Sequence, residues 1–289
     1  MRIAIIGGSG KMGRWFARFL LAEGHKVVIT GRNRRKLEET GEQLRVEVAS
    51  NEEAVRLADV VLLSVPIDNF ESVVRQISPH THAEQVIVDV TSIKEVPVEI
   101  MHRYIKRGQI LGIHPMFGPG ASSIASQNIV LTPTDETERS LAQKVKSYLE
   151  TRGARVSLAS PREHDEMMTI VLGLAHFIAL VSADTLLGMD KLKSIGTFGG
   201  STYRLLLLLV ESVISEDPEL YASLQMNIPG AAEVEKLYQR SAGIWADLVA
   251  AKDRQGFVDR MNELKAKLNQ VDPDFGRGYE KVYKIVEAL

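Results

Sequence analysis

Cysteine is absent from the 289 residues, which excludes disulfides, thiolate nucleophiles and Cys-ligated metals for this chain. An excess of either charge is missing too. Lys and Arg number 35 against 37 Asp and Glu, a formal net charge of −2, and no long basic run occurs. That removes the electrostatic basis for nucleic-acid or anionic-membrane binding, and neither partner is expected. Long apolar runs are also lacking: the longest, around residues 170–182, contains His176 and falls short of the ~20 residues of a membrane span. Met1 to Ile6 lead directly into a Gly-rich loop without the layout of a secretory leader, so a cytoplasmic protein is expected. No cluster with metal-ligand spacing is visible, and no metal is expected. What remains is 45% hydrophobic and 25% charged, the make-up of a globular protein with one large domain or two.

The first half alternates short Val- and Ile-rich runs with amphipathic stretches. Residues 3–6, 26–30, 60–65, 86–90 and 110–113 read as buried strands bounded by Gly, Asp or Ser. Between them lie helical patterns such as 12–23, apolar at Trp15, Phe16, Phe19 and Leu20. This alternation predicts parallel βαβ units in a doubly wound sheet, which residues 129–132 and 154–158 extend around a helix over 136–152. After Ser160 the strands stop, and helices are expected over 163–189, 203–216, 218–227, 231–251 and 254–269. The fold class is therefore α/β: an N-terminal Rossmann-type sheet domain over residues 1–160 and an all-helical domain over 161–289, joined at Ala159-Ser160-Pro161. Helices apolar on more than one face, Leu205 to Val210 for example, predict a homodimer made through the second domain.

The loop Gly7-Gly8-Ser9-Gly10-Lys11-Met12-Gly13 holds GxGxxG at Gly8, Gly10 and Gly13. Alone the pattern says little, but here it follows a strand and opens a helix, the context of a dinucleotide site. Gly8 is expected to make the tight turn, Gly10 to let backbone approach a pyrophosphate, and Gly13 to seat the helix on the sheet. The N–H groups of Lys11 and Met12 then face the phosphates. Where an NAD-preferring domain places Asp or Glu after its second strand, this chain reads Gly31-Arg32-Asn33-Arg34-Arg35. Arg32 and Arg34 match a 2′-phosphate, so NADP is expected, with NAD possible; the alternative is a solvated helix start. Ser64 and Pro66 close another strand end beside the cofactor.

His114 ends a strand and is followed by Pro115-Met116-Phe117-Gly118-Pro119, a position suited to an acid/base at the carboxyl edge of the sheet. Ser92 and Lys94 bring a hydroxyl and a cation to the same edge. His176 lies mid-helix among apolar residues, where periodicity alone favours a core histidine. Arg204 stands in a first helical turn beside five leucines; it opposes the macrodipole and calls for an anion, either a substrate carboxylate or a structural Asp or Glu.

Taken in order, these residues resemble a family. Val88-Asp89-Val90-Thr91-Ser92-Ile93-Lys94, Leu111-Gly112-Ile113-His114-Pro115-Met116-Phe117-Gly118-Pro119, Glu163-His164-Asp165, His176-Phe177, Tyr203-Arg204-Leu205 and Asp217-Pro218-Glu219-Leu220-Tyr221-Ala222 look like prephenate dehydrogenase, the TyrA family. They are similar above all to bacterial enzymes often fused to chorismate mutase. The resemblance implies oxidative decarboxylation of prephenate to 4-hydroxyphenylpyruvate with hydride transfer to NAD(P), in tyrosine biosynthesis. It implies His114 as the catalytic histidine, Ser92 as the serine beside the substrate hydroxyl, and His176, Arg204 and, less directly, Lys94 as substrate-binding residues. The basic end of the second strand departs from many relatives and bears on cofactor choice, not on the reaction. Arogenate is the closer chemical alternative. A deazaflavin-dependent NADP reductase would share the first domain only, and a non-catalytic NADP sensor would have lost its acid/base.

Overall fold

The structure, a computed structural model, describes residues 1–189 and 197–288. They divide into two compact units, residues 1–168 with 227–229, and residues 169–226 with 230–288.

The first unit is built on strands β1 (Arg2–Ile6), β2 (Lys26–Thr30), β3 (Glu47–Val48), β4 (Val60–Leu63), β5 (Val86–Asp89), β6 (Gln109–Pro115), β7 (Asn128–Thr132) and β8 (Arg155–Leu158). Their order across the sheet is 3-2-1-4-5-6-7-8. All neighbours are parallel except β6 and β7, which run antiparallel with His114 opposite Val130. The sequence pattern predicts parallel units throughout; the reversal at β7 follows from the connection over residues 116–127, which holds no helix to carry the chain back along the sheet.

Alternate residues of each strand feed two cores. Ile3, Ile5, Val27, Ile29 and Leu111 pack under helices α1 (Lys11–Ala22) and α6 (Glu136–Glu150). Ala4, Ile6, Val28, Val61 and Ile87 pack under α3 (Asn51–Leu57), α4 (Phe70–Ile77) and α5 (Glu95–Tyr104). The near-continuous apolar runs are what a sheet covered on both faces requires, and each fully buried Val, Leu or Ile contributes about 1.5–3 kcal/mol. Helix α2 (Arg34–Leu44) is capped by Asn33, whose side chain accepts from the Lys36 N–H.

Helix α7 (Pro161–Met168) opens with a capping box: Ser160 Oγ accepts from Glu163 N–H, and Glu163 accepts from Ser160 N–H at 2.8 Å. The first compact unit runs on past Ser160, where the sequence places the domain boundary, to Met168. The reason is that His164, Asp165 and Met168 are buried as part of the first unit. The chain leaves that unit through a π-helical turn, Thr169–Leu174. The whole helical stretch Pro161–Leu187 is 27 residues, the length of the helix expected over 163–189, with a mean hydropathy of 2.0 in its most apolar window. By length and composition it could cross a membrane; its buried His164 and Asp165 are groups a lipid-facing helix would have to desolvate.

The second unit contains, among the described residues, helices only: α8 (Ala175–Leu187), α9 (Ser201–Ile214), α10 (Pro218–Asn227), α11 (Ala231–Ala250), α12 (Arg254–Val271) and α13 (Gly278–Glu287). Few side chains are buried, and α12 buries none. An open apolar groove of about 610 Å³ runs along α9, lined by Leu205, Leu206, Leu208 and Leu209.

Candidate active site

Strand order reverses between β1 and β4, and a cleft of about 620 Å³ opens at the carboxyl ends of these strands. Gly7, Ser9 and Gly10 line it on one side, Ser64 and Pro66 on the other. The turn expected at Gly8 is made at Gly7, which has φ +87°; a Cβ there would lie 2.1 Å from the Ser64 carbonyl oxygen. Gly8 is required for a different reason, since its Cβ would meet Ile29 at 2.5 Å. Gly13 has the role the motif assigns it: a Cβ would lie 2.3 Å from the Gly7 oxygen, so α1 sits directly on the loop. Helix α1 starts at Lys11 and continues through Met12 with Gly10 as its cap and no capping side chain. These features fit a dinucleotide, whose phosphates would take the helix N-terminus.

Among the expected cations only Arg32 lines the cleft, and its guanidinium donates to Asn69 at 2.9 Å. The assignment of Arg34 to the cofactor is corrected. It lies on the outer face of α2, 75% exposed and paired with Glu38 at 2.6 Å. The Asn33 cap sets the helix phase so that Lys36 lines the cleft instead, a residue the sequence reading passed over. Glu52 of α3 also reaches the cleft, held by Gln76.

At the ends of β5 and β6 lies a buried polar chain. His114 is 5% exposed, and its Nδ1 is 2.8 Å from Nε2 of His164. His164 Nδ1 is 2.7 Å from Asp165 Oδ1. The same carboxylate accepts the N–H groups of Lys94 (2.7 Å) and Glu95 (2.9 Å), which tie α7 to the start of α5. Burial, with Lys94 and His164 adding to it, holds His114 well below the usual histidine value of 6.5, so the imidazole is neutral at pH 7.

The expectation that Lys94 holds substrate is corrected as well. It is fully buried, its ammonium donating to Asp89 and, at 2.9 Å, to the carbonyl of Ile113. Burial pushes the Lys94 ammonium down and the Asp89 carboxyl up, each opposed by the other's charge. Asp89 also accepts from the N–H of Thr91 at 2.7 Å. Lys94 thus clamps the end of β5 to β6 at Ile113, the residue before His114. Ser92 lies half-buried in the turn between β5 and α5, with no hydrogen-bond partner among the described residues.

His176 and Arg204 belong to the second unit. His176 packs edge-on to Tyr221, with ring centroids 4.8 Å apart. Its Nδ1 is buried without a partner among the described residues, a polar atom that a substrate group would satisfy, and burial lowers its pKa. Arg204 is exposed in the first turn of α9 and pairs with no carboxylate among the described residues. The structural Asp or Glu left open by the sequence is therefore not found there.

Two family models match the chain: "Prephenate dehydrogenase, nucleotide-binding domain" over residues 16–158 and "Prephenate dehydrogenase, dimerization domain" over 160–263. A probable arogenate/prephenate dehydrogenase of Methanocaldococcus jannaschii is 35% identical over 267 residues, 91% of this chain and 60% of the relative. The T-protein of Haemophilus influenzae is 28% identical over 272 residues, covering 91% and 66%. The chain thus spans 60–66% of the length of these curated relatives. A crystal structure of prephenate dehydrogenase from A. aeolicus with hydroxyphenyl propionate and NAD+ superposes with a TM-score of 0.75 at 22% identity, covering 94% of this chain and 98% of that one. The structure of Synechocystis arogenate dehydrogenase gives 0.69 at 19% identity over 94% and 100%. The family match runs through both halves of the chain.

Proposed function

The chain belongs to the prephenate dehydrogenase family, and from that premise we propose that it oxidatively decarboxylates prephenate to 4-hydroxyphenylpyruvate in tyrosine biosynthesis, in the cytoplasm. The observation that carries this reading is His114: a buried, neutral imidazole at the carboxyl end of β6, one nitrogen engaged by His164 and the other left for substrate.

Prephenate carries a hydroxyl at ring C4 and a carboxylate at C1. When bound, the nicotinamide supplies the acceptor for the C4 hydride. His114 accepts the hydroxyl proton, so the oxidised carbon becomes a ketone. Loss of the C1 carboxylate as CO2 then sends an electron pair into the ring, which becomes aromatic with a phenolate at C4. The His114 imidazolium returns its proton to that oxygen, and atoms and charge balance with no other acid or base. Ser92 orients the substrate hydroxyl; in the second unit, Arg204 and the Nδ1 of His176 are the groups suited to a carboxylate.

Turnover of prephenate and arogenate, each with NAD and NADP, tests the reading; failure with all four combinations overturns it. Arogenate is retained as second substrate because the Methanocaldococcus relative is named for both.

For the cofactor we propose NADP, supported by Arg32 and Lys36 in the cleft and by the missing carboxylate after β2. Hydrogen bonds to a charged group contribute about 1.5–3 kcal/mol. Arg32→Ala with Lys36→Ala is therefore expected to weaken NADP by roughly ten- to a hundredfold and NAD far less. Arg34→Ala, on the outer face of α2, is expected to change neither. Equal losses for both cofactors would make the cleft cations solvated surface.

A homodimer through the second unit accounts for the groove along α9 and for exposed Phe198, Leu187 and Met226, and it agrees with the description of the matched second domain. Light scattering at micromolar concentration decides it.

A further inference from the structure

Within the first unit one arrangement goes beyond a lone base. We propose that His164 and Asp165 are positioning residues that fix the tautomer of His114 and stabilise the positive charge it gains with the substrate proton. The inference rests on His114 being the base.

The protons follow from the partners. Asp165, as a carboxylate, can only accept, and it already accepts the N–H groups of Lys94 and Glu95 at the start of α5. The proton between Asp165 and His164 therefore sits on His164 Nδ1. With its proton on Nδ1, His164 offers the Nε2 lone pair to His114 Nδ1, 2.8 Å away, which is then the donor. That leaves the lone pair of His114 on Nε2, facing away from the chain of partners. The three side chains thus select the one tautomer able to accept a proton from substrate.

The same chain answers an electrostatic problem. A proton arriving at His114 makes an imidazolium in a site where burial and the Lys94 ammonium oppose positive charge. As it forms, the Nδ1 proton shifts toward His164 Nε2, and charge settles next to the Asp165 carboxylate; when the phenolate takes its proton from Nε2, the shift reverses. No bond to carbon changes in the chain and no proton is lost to solvent. Among the described residues, the charged groups set against the two histidines are Lys94 from the β5–α5 segment and Asp165 from α7, and Lys94 is already paired with Asp89.

Two substitutions separate this role from a structural one. In Asp165→Asn the amide oxygen can keep the bonds to His164 and to Lys94 N–H, so the tautomer is retained while the negative charge is lost. Expected are a fall in kcat of about 10²-fold, little change in prephenate KM, and an acid limb of kcat moved to lower pH. His164→Gln keeps an acceptor for His114 and leaves Asp165 free to cap α5, but it cannot share a proton; a similar loss is expected with the melting temperature held. Because Asp165 acts through His164, the double variant should be no slower than His164→Gln alone. If Asp165→Asn fails to fold, His164→Gln carries the test.

Near-normal kcat in folded His164→Gln, an unmoved acid limb in Asp165→Asn, or multiplying losses in the double variant would each overturn the proposal. His114→Asn run in parallel keeps the failures apart. Normal turnover there removes the base itself, whereas inactivity there with active His164→Gln removes only the positioning role.

Discussion

Replacing His114 with Asn is expected to lower kcat by roughly 10²–10⁴-fold, the usual contribution of a general base, with prephenate KM changed little. Asn has no group able to hold a proton, yet it is small enough for the space of a ring that is 5% exposed. The pH dependence gives a second check. In the free enzyme burial keeps the His114 pKa well below 6.5, so the active, neutral form dominates at pH 7 and is lost only as pH falls through that lowered value. A kcat/KM profile flat from pH 7 to below 6, turning down only under more acid conditions, is the expected result. A downturn centred at 6.5 or above would mean that the base is another group or is not buried. The same shift bears on stability with the same sign. The unfolded chain, with an ordinary histidine, takes up its proton first as pH falls, so the contribution of the neutral buried ring is present above about 6.5 and declines below it.

Arg204 is the second residue whose loss should be large. It is exposed at the start of α9 and pairs with no carboxylate among the described residues, so its charge is available to a ligand. Arg204→Gln is expected to raise prephenate KM by roughly ten- to a hundredfold, from the ~1.5–3 kcal/mol of a hydrogen bond to a charged group. The cofactor KM and the melting temperature should hardly move, because no ion pair among the described residues is broken. Arg204→Lys should recover only part of the affinity, since a point charge does not reproduce a bidentate fork on a carboxylate. A fall in melting temperature without a change in prephenate KM would make Arg204 structural and remove it from the site.

The sequence by itself determined the architecture and the cofactor loop. Strands of period two, helices of period 3.6 and a Gly-rich turn between the first of each are local patterns, readable wherever they stand, and β1, β2 and α1 came out within a residue or two of their pattern. Family-specific runs around His114 and Arg204 were legible for the same reason. The tertiary structure alone decided which polar side chains face a ligand and which face each other. Lys94 reads as a cation at a strand end, but only the pairing of β5 with β6 buries it between Asp89 and the Ile113 carbonyl. Arg34 and Lys36 are indistinguishable as cations until the Asn33 cap sets the phase of α2. The reversal of β7 depends on a connection without a helix. His164 and Asp165 stood in a motif with no role to read, because their partners lie 50 and 71 residues away, at His114 and Lys94. A side chain's protonation and reach are set by its neighbours in space, and periodicity records only its neighbours along the chain.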